Sequence, residues 1–437
     1  MQSVQPITLG CSKNRVDTEH ILSLLDGRYD IVPEGEERDY VDYLLINTCG
    51  FIGDAKEESI QAILEAVERK KDGKAGAVYV FGCLSQRYAS EMPELIPEVD
   101  AWFGARDISP VLKAFGVRGN VKPGRFLTTP SHYAFLKISE GCDRRCSYCA
   151  IPHIRGKHIS VPMETLLEEA ESLAASGVRE LIVIAQDTTY YGLDLYHRRA
   201  LAELLQKLSE IDGIEWIRIH YSYPDDFPED VLDQMADNPK VCRYLDIPLQ
   251  HISDKVLANM RRNVDSAWTR ALVRKMRERV PSVVLRTTMI VGHPGEGEKE
   301  YRELLDFVRE TRFERLGAFK YSEEEGTYGA EHFKDEVPES VKQERYDGLM
   351  SLQSGISLSF NQSRVGSVEK VIVDDFVDGV LVCRSEFESP EVDGEILVRY
   401  TPDSFKGLDP YSLAGEFINV RILAADEYDL IAEPVFE

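Results

Sequence analysis

Short apolar runs recur along the first part of the chain, and each gives way to a stretch whose apolar positions return every third or fourth residue. "VQPITLG" (4–10), "VDYLLINTC" (41–49) and "AVYVFGC" (77–83) are rich in β-branched and aromatic residues. "DAKEESIQAILEAVERKK" (54–71) carries the helical period. Strand and helix patterns in alternation predict βαβ units and a parallel sheet. The rhythm fades at "VRGNVKPGRFLTTPSH" (117–132), whose Gly, Pro and Thr read as a linker. A first, parallel α/β domain is therefore assigned to residues 1–120.

The alternation then resumes. "AFLKIS", "ELIVIAQ", "WIRIHYS", "RYLDIPL", "VVLRTTMIVG" and "RLGAFKYS" are strand candidates, with amphipathic stretches such as "METLLEEAESLAAS" and "RALAELLQKLSEI" between them. Six such units predict a partial (β/α)6 barrel of the TIM kind over residues 128–363, with its site at the C-terminal strand ends. A doubly wound open sheet is the alternative. The zone closes on the helix-like "ESVKQERYDGLMSLQSGISLSFNQSRVG". Beyond it, in residues 364–437, "VEKVIVDD", "DGVLVCRS", "DGEILVRYT", "GEFINVRILAA" and "YDLIAEPV" are short strands with turns between them. They predict a small antiparallel barrel of the OB kind.

Composition narrows the function. A chain of 437 residues has room for roughly two to four domains. No apolar run approaches the roughly 18 residues of a membrane span, and "MQSVQPITLG" lacks the features of a secretion signal. We expect a cytoplasmic protein with no membrane partner. Eight cysteines are few for this length and point to metal or catalysis rather than a disulfide scaffold. The 51 basic and 76 acidic residues leave a net charge of −25. That balance disfavours nucleic acid as a direct partner and suits a basic one, although acidity also simply keeps a protein soluble. Residues 364–437 hold 6 basic and 17 acidic residues, or 6 − 17 = −11.

Three cysteines fall within "EGCDRRCSYCAIPHIRG": Cys142, Cys146 and Cys149. Structural zinc takes four N/S ligands, for which His153 and His158 are near enough to compete. An iron–sulfur cube normally takes four cysteines, so three would leave one iron open to a small chelating molecule. The triplet follows the first strand of the second zone, at the top face of the predicted barrel. In the first zone Cys11, Cys49 and Cys83 each come at or just after the end of a predicted strand. In a parallel sheet those ends share one edge, where ligands gather. Single free cysteines are commonly small buried hydrophobes, as we read Cys242 and Cys383. Three at equivalent strand ends point to a second three-thiolate cluster.

These motifs carry a resemblance. "EGCDRRCSYCAIP" is similar to the signature of radical S-adenosylmethionine (SAM) enzymes. "LGCSKNRVDTE", "INTCGFIGDAKEES" and "GCLSQRY" resemble the N-terminal motifs of methylthiotransferases. "DIPLQHISDKVLANMRR", "RTTMIVGHPGE" and "YSEEEGTYGA" resemble their barrel motifs, and the last zone resembles their TRAM domain. The likeness runs nearly the whole chain, in order. One departure is His293, where the family often has Phe.

The resemblance implies two 4Fe–4S clusters, one on Cys142, Cys146 and Cys149 that binds SAM, and an auxiliary one on Cys11, Cys49 and Cys83 that carries the sulfur to be transferred. It makes Tyr148, Gln186, Asp187, Gln250 and Gly292 candidate SAM contacts. His220 and His251 we read, from residue type alone, as satisfied core or rim residues. It also implies an electron donor and a sulfur donor. Members of the family modify either a tRNA adenosine or an aspartate of the small-subunit ribosomal protein numbered twelve. The acidic TRAM zone suits the basic ribosomal protein, free or in the assembled subunit. The rivals are a tRNA methylthiotransferase, another two-cluster sulfur inserter, and a non-catalytic metal-binding module.

Overall fold

The computed structural model describes residues 1–119, 124–405 and 407–435. Residues 120–123, within the expected linker, lie outside the described part.

The first sheet holds β1 (Ser3–Thr8), β2 (Asp30–Ile31), β3 (Val41–Thr48), β4 (Ala75–Gly82) and β5 (Ala101–Trp102). They are parallel, in the order β2-β1-β3-β4-β5. β3 is buried along nearly its whole length, which explains its unbroken apolar run. Ile21 and Leu25 of the helix Ser12–Leu25 cover one face with Val4 and Leu45, while Ile63 and Val67 of the helix Gly53–Lys71 cover the other with Leu44 and Ile46. The chain leaves β1 towards β2 and then crosses back to β3. At such a reversal the loops diverge and open a crevice at the carboxyl ends of the strands. Cys11, Cys49 and Cys83 follow β1, β3 and β4 at that edge.

The second sheet is built from β6 (Tyr133–Lys137), β9 (Glu180–Ile184), β10 (Trp216–Ile219), β11 (Val241–Asp246), β12 (Val284–Val291) and β13 (Arg315–Lys320). All pairs are parallel and neighbours in space are neighbours in sequence, so the sheet is singly wound and the doubly wound alternative falls away. Its helices bury Leu166, Leu173, Leu205 and Phe307 against Leu181, Val183, Ile217 and Leu245 on one side. Truncating any one of these to Ala would cost about 2–5 kcal/mol. The short strands β7 (Ser139–Glu140) and β8 (Ile159–Ser160) pair antiparallel across the neck of the loop that carries Cys142, Cys146 and Cys149.

The long helix Glu339–Ser363 leads to β14 (Val368–Val377), β15 (Val380–Ser385), β16 (Ile396–Arg399), β17 (Phe417–Ala425) and β18 (Leu430–Val435). These close into a barrel in the order β14-β15-β16-β18-β17. Its pairs are antiparallel except β16 with β18, which is parallel. The segment after β15 packs on the face of the second sheet that the helices leave bare. Phe387 meets Trp216 and Tyr244 there. The fully buried Arg218 donates to Glu180 at 2.8 Å and to the Glu386 carbonyl at 2.8 Å. Tyr244 Oη donates to Asp393 at 2.7 Å, and Ser389 Oγ lies 2.9 Å from His220 Nε2. Cys242 and Cys383 sit buried in apolar clusters, as small hydrophobes. Among the described residues no helix is long and apolar enough to cross a membrane.

Candidate functional site

All six cysteines of the two triplets line one cavity of about 400 Å³ between the first and second sheets. The first triplet arrives on three strand-to-helix connections. Cys11 caps the helix Ser12–Leu25, and Cys83 opens the helix Cys83–Arg87. Gly10 makes the first approach possible. Its φ is +90°, and a Cβ there would stand 2.8 Å from the Cβ of Cys49, so only glycine lets the two loops come this close. The second triplet hangs on the loop clasped by β7 and β8, with the Cys142 N–H donating to the Gly156 carbonyl at 3.1 Å.

Burial governs the thiols. It pushes Cys49 up to about 11 and Cys142 up to about 12, and it also raises Cys149 and Cys83, the last against the pull of Arg155. Cys11 differs: burial acts upward there too, but the Lys13 and Arg155 cations together with the backbone N–H groups of Asn14 and Lys13 outweigh it, and its pKa is lowered. Buried thiols of this kind become thiolates when a positive partner replaces the proton, as a metal centre does.

The surrounding cations divide by sheet. Arg155 reaches from the second domain into the first: its Nε lies 3.3 Å from Cys83 Sγ, Nη1 donates to Asp17 at 2.7 Å, and Nη2 donates to Asn14 Oδ1 at 2.5 Å. Lys13 places its ammonium 3.2 Å from the ring centre of Tyr221. Beside the second triplet, Arg144 and Arg262 stack on the ring of Tyr223 at 4.0 and 4.3 Å. Tyr223 Oη lies 3.7 Å from Cys146 Sγ. Arg262 also donates to Tyr148 Oη at 3.2 Å and to the Pro248 carbonyl at 2.6 Å.

Of the candidate SAM contacts, Tyr148, Gln186 and Gln250 line the cavity, whereas Asp187 and Gly292 do not. Asp187 is buried, accepts from Arg144 Nε at 2.8 Å and caps the turn Thr188–Tyr190 through the Thr189 N–H at 3.0 Å. Gly292 donates to Glu296 Oε1 at 2.8 Å and packs on the Lys342 stem. Glu296 also accepts from Arg345 and faces His251, so "GHPGE" is a turn tied from within. His220 and His251 both have partners away from the cavity. His293 is buried against Tyr321, with Nε2 at 3.3 Å from Ser147 Oγ, and so braces the loop between Cys146 and Cys149. Pattern reading missed Lys13, Arg155, Arg262, Tyr221 and Tyr223. Lys13 and Arg155 adjoin the cysteine motifs and Arg262 closes the stretch "DIPLQHISDKVLANMRR", which was their available signal; Tyr223 lies in none of the quoted motifs.

The residues suit a bulky thiolate-bound group. Among the described residues, Gln250 Oε1 and Arg262 Nε, buried at this cavity, have no hydrogen-bond partner. His153 is exposed and His158 is bonded to Ser160 at 3.1 Å, and neither lines the cavity as a fourth ligand. Among the described residues no three His, Cys, Asp or Glu side chains are arranged around a single ion.

Comparison with known proteins sets the class. Residues 136–308 match the radical SAM superfamily, residues 3–104 match the Uncharacterized protein family UPF0004, and residues 365–435 match the TRAM domain. The fold resembles that of the radical S-adenosylmethionine methyltransferase TsrM from Kitasatospora setae, with a TM-score of 0.54 at 15% identity over 76% of this chain and 74% of that one. It also resembles the cobalamin-dependent S-adenosylmethionine radical enzyme OxsB, with a TM-score of 0.52 at 14% identity over 82% and 56% of the two chains. Fold and sequence thus define a protein with a radical SAM core, an added α/β domain and a TRAM barrel.

The curated relatives narrow this further. "Ribosomal protein uS12 methylthiotransferase RimO" of Cytophaga hutchinsonii is 48% identical over 99% of this chain and 98% of its own length. The same-named proteins of Bacteroides fragilis and Porphyromonas gingivalis are 48% and 49% identical, each over 99% of both chains. The chain belongs to the RimO family of radical SAM methylthiotransferases.

Proposed function

We propose that the protein transfers a methylthio group to the β-carbon of an aspartyl residue in the small-subunit ribosomal protein uS12. Cys142, Cys146 and Cys149 would hold one 4Fe–4S cluster, and Cys11, Cys49 and Cys83 a second. The observation that carries the reading is the meeting of both triplets in one cavity. When bound, these groups and SAM would supply one-electron cleavage of SAM, hydrogen abstraction from an unactivated carbon, and the sulfur that replaces the hydrogen.

The chain's own residues do the rest. Tyr148, Gln186, Gln250 and Arg262 form the wall beside the second triplet, where Gln250 Oε1 and Arg262 Nε have hydrogen-bonding capacity left for the polar groups of SAM. Asp187 and Asp225 fix Arg144 from behind at 2.8 Å each, which keeps its guanidinium plane on Tyr223. Phe51, Ile151 and Phe319 give the cavity an apolar lining. Arg155 holds the two domains in register, so that the two triplets face each other. The acidic TRAM barrel suits a basic protein partner, and uS12, free or within the subunit, is the partner that the relatives' names supply.

The test is anaerobic. Reconstituted protein, SAM and a reductant are incubated with uS12, with small subunits and with tRNA. Added methylthio mass on one uS12 aspartate is the expected result, and mass on tRNA alone would refute the substrate. Replacing either triplet by alanine should remove roughly half the iron, and only loss of the second triplet should abolish 5′-deoxyadenosine formation.

A further inference from the structure

Lys13 stands out among the buried charges of the cavity. It is 5% exposed, lines the cavity beside Cys11, and rests its ammonium on the Tyr221 ring. Among the described residues no carboxylate forms an ion pair with it. The nearby acids are all committed elsewhere. Asp17 pairs with Arg155 and Lys137. Glu140 pairs with Lys137 at 2.9 Å and Arg155 at 3.2 Å. Asp246 accepts the Tyr221 N–H at 3.0 Å and faces Arg286 at 3.3 Å. The groups that favour its charge are Tyr221, the Cys11 thiol and the already committed Asp246; a buried ammonium with no carboxylate of its own gains when one arrives.

The platform beneath it is deliberate. Tyr221 is held at φ +59°, a left-handed conformation that a bulky residue rarely adopts. Asp246 fixes both Tyr221 and, through its own carbonyl, the Ser222 N–H at 2.9 Å. The result points the ring face at Lys13 and leaves the ammonium's remaining donors for an occupant of the cavity.

We infer that Lys13 is the receptor for the side-chain carboxylate of the polypeptide substrate, and so a determinant of its selectivity for aspartate. This rests on the reading of the protein as an aspartate methylthiotransferase. The location favours a substrate carboxylate over that of SAM, because Lys13 adjoins the first triplet, whereas Arg144 and Arg262 serve the second. A salt bridge to the carboxylate next to the reacting carbon would fix that carbon's position, and an asparagine in its place would leave the ammonium unpaired.

The experiment measures binding of uS12 to anaerobically reconstituted holoenzyme. Its two ligands are uS12 with the target aspartate and the same protein with that residue changed to asparagine. Wild type should bind the aspartate form at least tenfold more tightly. In Lys13→Met the ratio should fall to within twofold, through weaker binding of the aspartate form, with iron per chain at the wild-type level. Wild type that modifies uS12 yet binds both forms alike would overturn this inference alone. A variant that keeps the full ratio would overturn it too, as would one whose ratio and iron fall together, since Lys13 would then serve metal retention. Wild type that transfers nothing to uS12 would sink the underlying reading, and this inference with it.

Discussion

Replacing Arg155 by methionine removes a buried side chain that ties both halves of the cavity. Arg155 is 3% exposed and engages Asp17, Asn14, Glu140, Cys83 and the Ala105 carbonyl. Removing one member of a buried charge pair costs about 3–5 kcal/mol. Lys137 stays on Asp17, so the lower figure, about 3 kcal/mol, applies. That corresponds to a factor on the order of 150 in the equilibrium for opening the interface. Hydrogen exchange in the helix Ser12–Leu25 reads that equilibrium directly. Its protection should drop by about this factor, and iron of the first triplet should pass to a chelator before that of the second. Arg155→Lys should recover only part of the loss, since an ammonium cannot span five partners. Wild-type protection together with wild-type iron retention in Arg155→Met would refute the reasoning.

Further outcomes follow from the same geometry. Gly50→Ala places a Cβ 2.7 Å from the Leu84 backbone, between the Cys49 and Cys83 loops; it should cost about 1–3 kcal/mol in thermal stability and lower iron content. Glu324 is 1% exposed and holds Lys56 at 2.7 Å and Arg87 at 2.8 Å across the domain interface, so Glu324→Gln should destabilise by about 3 kcal/mol in thermal unfolding. Burial would raise Glu169, but His20 and Arg125 outweigh it and set its pKa at about 2, below the ordinary 4.5. Its stabilisation is therefore present above pH 4.5 and lost as pH falls towards 2, because the unfolded chain binds the proton first. The fall in melting temperature across that window should be shallower in Glu169→Gln.

The fold was legible where pattern and period agree. The six barrel strands and the five C-terminal ones each bury one face or both, and that leaves a mark in sequence. β2 and β5 are two residues long and left none. The parallel pairing of β16 with β18 was also hidden, because alternation shows which residues are in a strand and not which strand lies beside it. At the site the cysteines were visible because their spacing and strand-end positions are unusual. The cations were not, since Lys13, Arg155 and Arg262 belong to types usually found at the surface and only tertiary packing buries them. Asp187 and Gly292 show the converse. Their strand-end positions drew attention, but each acts one layer back, on Arg144 and on the Glu296 turn.

The stretch from Ser385 to Asp393 gives the C-terminal module an unexpected status. It stoppers the underside of the central sheet, where the Glu386 carbonyl accepts from Arg218 and the neighbouring Arg384 pairs with Glu180. An appended adaptor could be trimmed or exchanged between enzymes without harm to its host. This one cannot, for cutting it away would bare Trp216 and Tyr244 and strip the buried Glu180–Arg218 pair of its remaining partners, so any change of client must come by remodelling its surface and not by swapping the module.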